Sequence, residues 1–148
     1  MIARYRFTTL RHQQALGASN ALPFAVIVES KRYIYCIGLY MDGDESVSGQ
    51  VLKHFPAVLK DRVANASRTA SAENGSALDV LCREFSWNIR ADRVESSLAM
   101  FQTIEQFAHR LFVKQVESRS SVPAQKLSAH HPLSIFAFDC PSVELATA

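Results

Sequence analysis

Two apolar runs lie close together early in the chain, FAVIV at 24–28 and RYIYCIGL at 32–39, separated by Glu29, Ser30 and Lys31. Both are rich in Val, Ile, Phe and Tyr, whose branched or flat side chains suit a pleated surface, and both have the length of a strand rather than of a helix. In the first run Phe24, Val26 and Val28 point one way and Ala25 and Ile27 the other, so neither face is polar and both need cover. The pattern predicts an α+β fold: an antiparallel sheet with a central hairpin over about residues 24–39, covered by amphipathic helices. Glu-Ser-Lys lacks the Asn-Gly or Asp-Gly signature of a two-residue turn, which predicts a slightly longer or bulged connection.

Ahead of the hairpin, residues 3–10 alternate, with Tyr5, Phe7 and Thr9 on one side and Arg4, Arg6 and Thr8 on the other. This is the signature of a half-exposed strand lying beside the hairpin. RHQQALGASN at 11–20 joins the two, with room for a helical turn. After the hairpin, Asp42, Asp44 and Glu45 put negative charge ahead of a helix, where the free N–H groups of the first turn attract it. Val47, Val51, Leu52, Phe55, Val58, Leu59 and Val63 recur at helical steps as one apolar stripe, and Pro56 within it predicts a kink or two short helices. NASRTASAENG at 65–75 is small and polar throughout and predicts an exposed, mobile loop.

Ser76 with Asp79 caps a short helix carrying Ala77, Val80, Leu81 and Phe85. Trp87, Ile89 and Ala91 then alternate along a return strand over about residues 87–94, with Trp87 joining the core of the hairpin. Thr103 and Gln106 form a capping box for a helix that buries Ile104, Phe107, Ala108, Leu111 and Phe112, with Arg110 and Lys114 near its C-terminus. From Glu117 onward SRSSVPAQKLSAHHP reads as a polar linker, and LSIFAF at 133–138 as a strand that docks on an open sheet edge, in the same molecule or in a neighbour. Leu133, Ile135, Phe136 and Phe138 are its candidate partner contacts, with the two phenylalanines as anchors. The organisation expected is one α+β domain over residues 1–117, followed by linker and tail over 118–148.

Composition bounds these expectations. A chain of 148 residues that is 48% hydrophobic holds one domain with a substantial core. A formal charge of +2 exerts no global pull towards nucleic acid or membrane. Locally the balance is uneven, since Arg4, Arg6, Arg11, Lys31 and Arg32 face only Glu29 within the first 39 residues. Cys36, Cys82 and Cys140 are an odd number without close spacing, which suits a reducing cytoplasm and neither a disulfide framework nor a Cys-x-x-Cys metal pair. MIARYRFTTLRH has no apolar core of signal-peptide length and no stretch approaches a membrane span, so a cytoplasmic location without membrane contact is expected.

Few residues offer chemistry. Glu105 and His109 stand one helical turn apart but lack the second His or carboxylate of an HExxH site, and His130-His131 sits in the polar tail. No sequence signal supplies a base to any cysteine, and GxSxG, GxGxxG and P-loop motifs are absent. No catalytic residue, cofactor or metal is assigned. A nucleic-acid surface built from Arg4, Arg6, Arg11, Lys31 and Arg32, with Tyr33 and Tyr35 for stacking, competes with the plainer reading of core tyrosines and solvated arginines.

In order of elements the chain resembles the small bacterial domain-of-unknown-function 3037 family over about residues 4–117. The resemblance rests on YRFTTLRH, the connection ending in Gly17-Ala18-Ser19-Asn20, the hairpin AVIVESKRYIYCIGL, Phe85-Ser86-Trp87 and the final helix IEQFAHRLFVKQV. It implies an α+β fold and an accessory or partner protein of the sort encoded beside kinases resembling HipA, and carries over no active-site residue. The leading expectation is therefore a non-enzymatic, cytoplasmic protein of a bacterium or phage that binds another protein. Nucleic-acid binding through the basic N-terminal strand is the alternative, and an enzyme of unfamiliar type the third. Self-association through the tail is compatible with the first.

Overall fold

The computed structural model describes residues 2–12, 22–41, 47–71, 73, 75–85, 89–117 and 133–141. Strands β1 (Ile2–His12), β2 (Leu22–Glu29) and β3 (Tyr33–Met41) come first, followed by helices α1 (Val47–Thr69) and α2 (Ala77–Cys82). Strands β4 (Ile89–Ala91) and β5 (Glu95–Met100), helix α3 (Ile104–Phe112) with a π-helical continuation over Val113–Glu117, and strand β6 (Leu133–Pro141) complete the order. The strands form one antiparallel sheet in the order β4-β1-β2-β3-β6, with β5 pairing β1 beyond the end of β4. The expected α+β architecture and central hairpin are thus present.

Both faces of the hairpin are covered, as its two-sided apolar pattern requires. On one face Leu10, Ile27, Ile34, Cys36 and Phe136 pack under Phe55, Leu59, Val63 and Ala66 of α1 and Leu78 and Leu81 of α2. On the other, Tyr5, Val26, Val28, Tyr35 and Ile37 pack under Ala108, Phe112 and Val116. The Phe107 ring lies 5.1 Å from that of Tyr5 and 5.6 Å from that of Phe7, which fixes α3 across β1.

Several expectations give way to the structure, but the hairpin connection is longer than two residues, as expected: Ser30, Lys31 and Arg32 separate β2 from β3, Ser30 N–H donates to Tyr33 C=O at 2.9 Å, and Ser30 Oγ accepts from the N–H groups of Arg32 and Tyr33 at 3.3 and 3.1 Å. The Ser30 hydroxyl thus satisfies the N–H groups of the turn, and no residue of the turn adopts positive φ. Strand β1 is internal rather than half-exposed, because β2 flanks it on one side and β4 and β5 on the other, and Thr8 and Thr9 are buried with Leu10. Pro56 does not split α1, which runs unbroken over 23 residues. The polar stretch expected to be a loop continues that helix to Thr69, since Ala66 extends the buried stripe of Leu59 and Val63 by one more turn. The return strand expected over about residues 87–94 is β4, three residues long, and an unexpected strand, β5, follows it. Both capping boxes form as their spacing predicts. The connection at 13–20, the acidic cluster of Asp42, Asp44 and Glu45, Trp87, and the linker with His130 and His131 lie outside the described residues.

Candidate protein-binding surface

The basic residues read from the sequence do not come together. Arg6 Nη1 donates to Glu29 Oε1, Ser76 Oγ and Asp79 Oδ2 at 3.2, 2.7 and 3.2 Å, and Nη2 donates to Asp79 Oδ1 at 2.6 Å. Glu29 Oε2 in turn accepts from Leu78 N–H at 2.9 Å, so one arginine ties β1, β2 and the N-terminus of α2 together. The hydrogen bond from Arg6 holds the Asp79 carboxyl below its ordinary value, against the opposing push of burial and with help from the Ser76 backbone. Arg11 Nε donates to both carboxylate oxygens of Asp92 at 2.9 and 3.1 Å, while Thr8 Oγ1 donates to the Asp92 carbonyl at 2.6 Å. Arg4, Lys31 and Arg32 are exposed. The tyrosines expected to accompany them point elsewhere: Arg4 and Arg6 face the α2 side of the sheet, whereas Tyr33 and Tyr35 face the α3 side, where Tyr35 is buried.

Nor do the polar groups on the α3 side assemble reactive chemistry. The Tyr35 hydroxyl shares a hydrogen bond of 3.1 Å with His109 Nε2, and burial, followed by the charges of Glu105 and Asp139, raises the Tyr35 hydroxyl above its ordinary value. Among the described residues no three His, Cys, Asp or Glu side chains are grouped to hold a metal ion. All three cysteines are free. Burial pushes the Cys36 thiol far up and that of Cys82 up to about 11, so neither carries thiolate character near neutral pH.

The tail residues divide. Strand β6 pairs with β3 from Tyr33↔Pro141 to Met41↔Leu133, which leaves Phe136 buried over Gly38 and Phe138 stacked on Phe136 at 6.2 Å. Both phenylalanines serve the chain's own core. Ile135 projects from the opposite face and is 56% exposed, and Leu133 pairs with Met41 at the end of the ladder.

An apolar surface that the sequence reading missed lies at the opposite edge of the sheet. Ile2 pairs with Met100 and Arg4 with Leu98 along the β1–β5 ladder, so these four side chains share one face. Helix α2 ends short of them, because its N-cap Ser76 already sits at Arg6. Ile2, Leu98 and Met100 are each 61% exposed. Strand β5 is amphipathic in reverse: Ala99 is buried and Ser97 half-buried on the α3 side, while the bulky Leu98 and Met100 face out.

Next in the chain stands Phe101, 79% exposed, with φ at 57°, the one non-glycine residue of positive φ among those described. For a bulky side chain that conformation is an outlier, costing on the order of 1–2 kcal/mol. Its neighbours impose it. Met100 is locked to Ile2 in the ladder, the Tyr5 hydroxyl donates to the Gln102 carbonyl at 2.8 Å, and Thr103 caps α3 by accepting from Gln106 N–H at 3.1 Å. The signal in the sequence is the run Leu98-Ala99-Met100-Phe101, which stands between two polar stretches.

No family model, no curated protein and no solved structure matches this chain. Among the described residues no helix is long and apolar enough to cross a membrane.

Proposed function

We propose that this chain is a non-enzymatic accessory protein of a bacterium or phage, acting in the cytoplasm by binding another protein through the corner formed by Ile2, Leu98, Met100 and Phe101. The observation that carries this reading is Phe101. A strained backbone holds an aromatic side chain out in water beside three other exposed apolar residues, which opposes both conformational preference and the hydrophobic effect. Such a cost is characteristic of binding surfaces, where a rigid aromatic anchor loses little entropy on association. Three free thiols, two of them unreactive, suit a reducing compartment. The nucleic-acid alternative keeps Arg4, Lys31 and Arg32 but has Arg6 and Arg11 committed to carboxylates and Tyr35 to the core.

The test compares immobilised wild type, Phe101→Asn and Ile135→Asn as baits in an extract of the source organism. Asparagine tolerates positive φ, so the first variant keeps the fold, and Ile135 is an exposed apolar control at the other sheet edge. The expected result is a protein held by wild type and Ile135→Asn and lost from Phe101→Asn. Equal retention by all three contradicts the reading, and retention of nucleic acid that weakens steeply with salt favours the alternative.

A further inference from the structure

Among the described residues β5 pairs with β1 alone, so its outer edge offers unpaired backbone N–H and C=O groups. Sheet edges are ordinarily defended by lysine, proline or inward charge. Strand β6, at the far edge, carries Asp139 and Pro141, whereas β5 carries one charge, Glu95 at its first position, and its remaining residues, Ser96–Met100, contain no charge and no proline. Glu95 shares the α3 side of the sheet with Phe7, whereas on the opposite face, beside Leu98 and Met100, the neighbouring charge is that of Arg4. Arg4 is exposed, directly opposite Leu98, and among the described residues makes no ion pair. Arg32, exposed at the hairpin tip, lies at the same end of the sheet, three residues past Glu29.

Resting on the protein-binding reading above, we infer that the partner supplies an extended segment in which apolar residues alternate with acidic ones, and that this segment adds to the sheet as a further strand beside β5. Backbone hydrogen bonds to β5 provide the affinity and alternate side chains provide the specificity. Apolar side chains of the segment cover Leu98 and Met100, with Phe101 closing over one end. Strands lie about 4.8 Å apart, so the added strand runs roughly 10 Å from the Arg4 backbone. An extended arginine meeting a glutamate spans that distance. A second copy of this chain fits less well, because it would bring another exposed arginine to a surface that already holds Arg4.

The test titrates the intact protein with two short synthetic peptides, one alternating valine with glutamate and the other valine with lysine, and reads amide hydrogen exchange together with affinity. The glutamate peptide is expected to protect the amides of every second residue of β5 and to bind about tenfold more tightly than the lysine peptide, with the preference reversed in Arg4→Glu. Equal binding of both peptides, or protection elsewhere than β5, overturns strand addition. So does concentration-dependent dimerisation abolished by Leu98→Asp, or binding of the wild type to phosphatidylglycerol vesicles in place of the peptide. A partner captured in a Phe101-dependent manner with no protection of β5 overturns this inference alone, whereas the absence of any such partner removes the protein-binding reading as well.

Discussion

The Phe136 ring lies on the backbone of Gly38: a Cβ placed on that glycine would stand 2.7 Å from Phe136 Cζ and 2.6 Å from the Ala25 Cβ. Ala25, Gly38 and Phe136 form one row across β2, β3 and β6, two small residues making room for a large one. Gly38→Ala therefore overpacks the row from both sides and should destabilise by about 1–3 kcal/mol in denaturant unfolding. Phe136→Ala should cost about 3–5 kcal/mol. The two together should cost less than their sum, because removing the ring relieves one of the two clashes. Strict additivity would show that β6 is not seated on Gly38.

Arg6 is the structural hub of the charged residues, and its value depends on geometry as well as sign. Arg6→Met leaves the buried Glu29 carboxylate with Leu78 N–H as its remaining partner of those described and should destabilise by about 3 kcal/mol, the lower end for a broken buried pair because Arg6 is itself one-third exposed. Arg6→Lys should recover only part of this, since an ammonium cannot reach Glu29, Ser76 and Asp79 with two forked nitrogens. Full recovery by lysine in a urea titration would reduce the network to simple charge pairing.

Two groups separate in pH. Burial lowers the His12 imidazole from its ordinary 6.5, so below that pH the unfolded chain takes up a proton that the folded chain resists. The stability this protects is complete above pH 6.5 and is lost as pH falls through the lower folded value. His12→Gln should flatten the decline that sets in below pH 6.5. Asp79, whose carboxyl is depressed chiefly by the Arg6 hydrogen bond, acts later: its contribution is present above 3.8 and is lost as pH falls below that value. Asp79→Asn should flatten only this acid limb, as read by urea midpoints across the range.

Phe101 should trade stability for binding. Phe101→Asn removes an aromatic side chain that touches mostly water and relieves the positive φ, so it should stabilise by about 1 kcal/mol and raise Tm by about 3 °C. A drop in Tm would mean that the ring packs against the fold.

The fold was legible where local pattern and tertiary role agree. Val26 and Val28 opposite Ala25 and Ile27 announced a strand with two covered faces, and Ser76/Asp79 and Thr103/Gln106 announced two helix starts by spacing alone. Asn65–Thr69 was misread because its polar composition hid Ala66, one helical turn beyond Val63, whose burial decides that the helix continues. Arg6 and Asp79 are 73 residues apart, and neither residue type reveals that they meet. The candidate surface was the least legible part. Strand β5 turns its bulky residues outward, so a periodicity reading assigns it inside out, and the positive φ of Phe101 has no mark in the sequence because Gly, Asn or Asp is the residue that ordinarily signals it.

The most direct measurement places a photoreactive benzoylphenylalanine at position 101, and separately at position 135 as control, in the full chain expressed in the source organism, followed by irradiation and identification of adducts. The expected result is one discrete protein adduct from position 101 and none from position 135, with acidic residues alternating with apolar ones in the crosslinked segment. Adducts from position 135 alone, or crosslinks from 101 only to nucleic acid, would contradict the claim that this corner binds a protein partner.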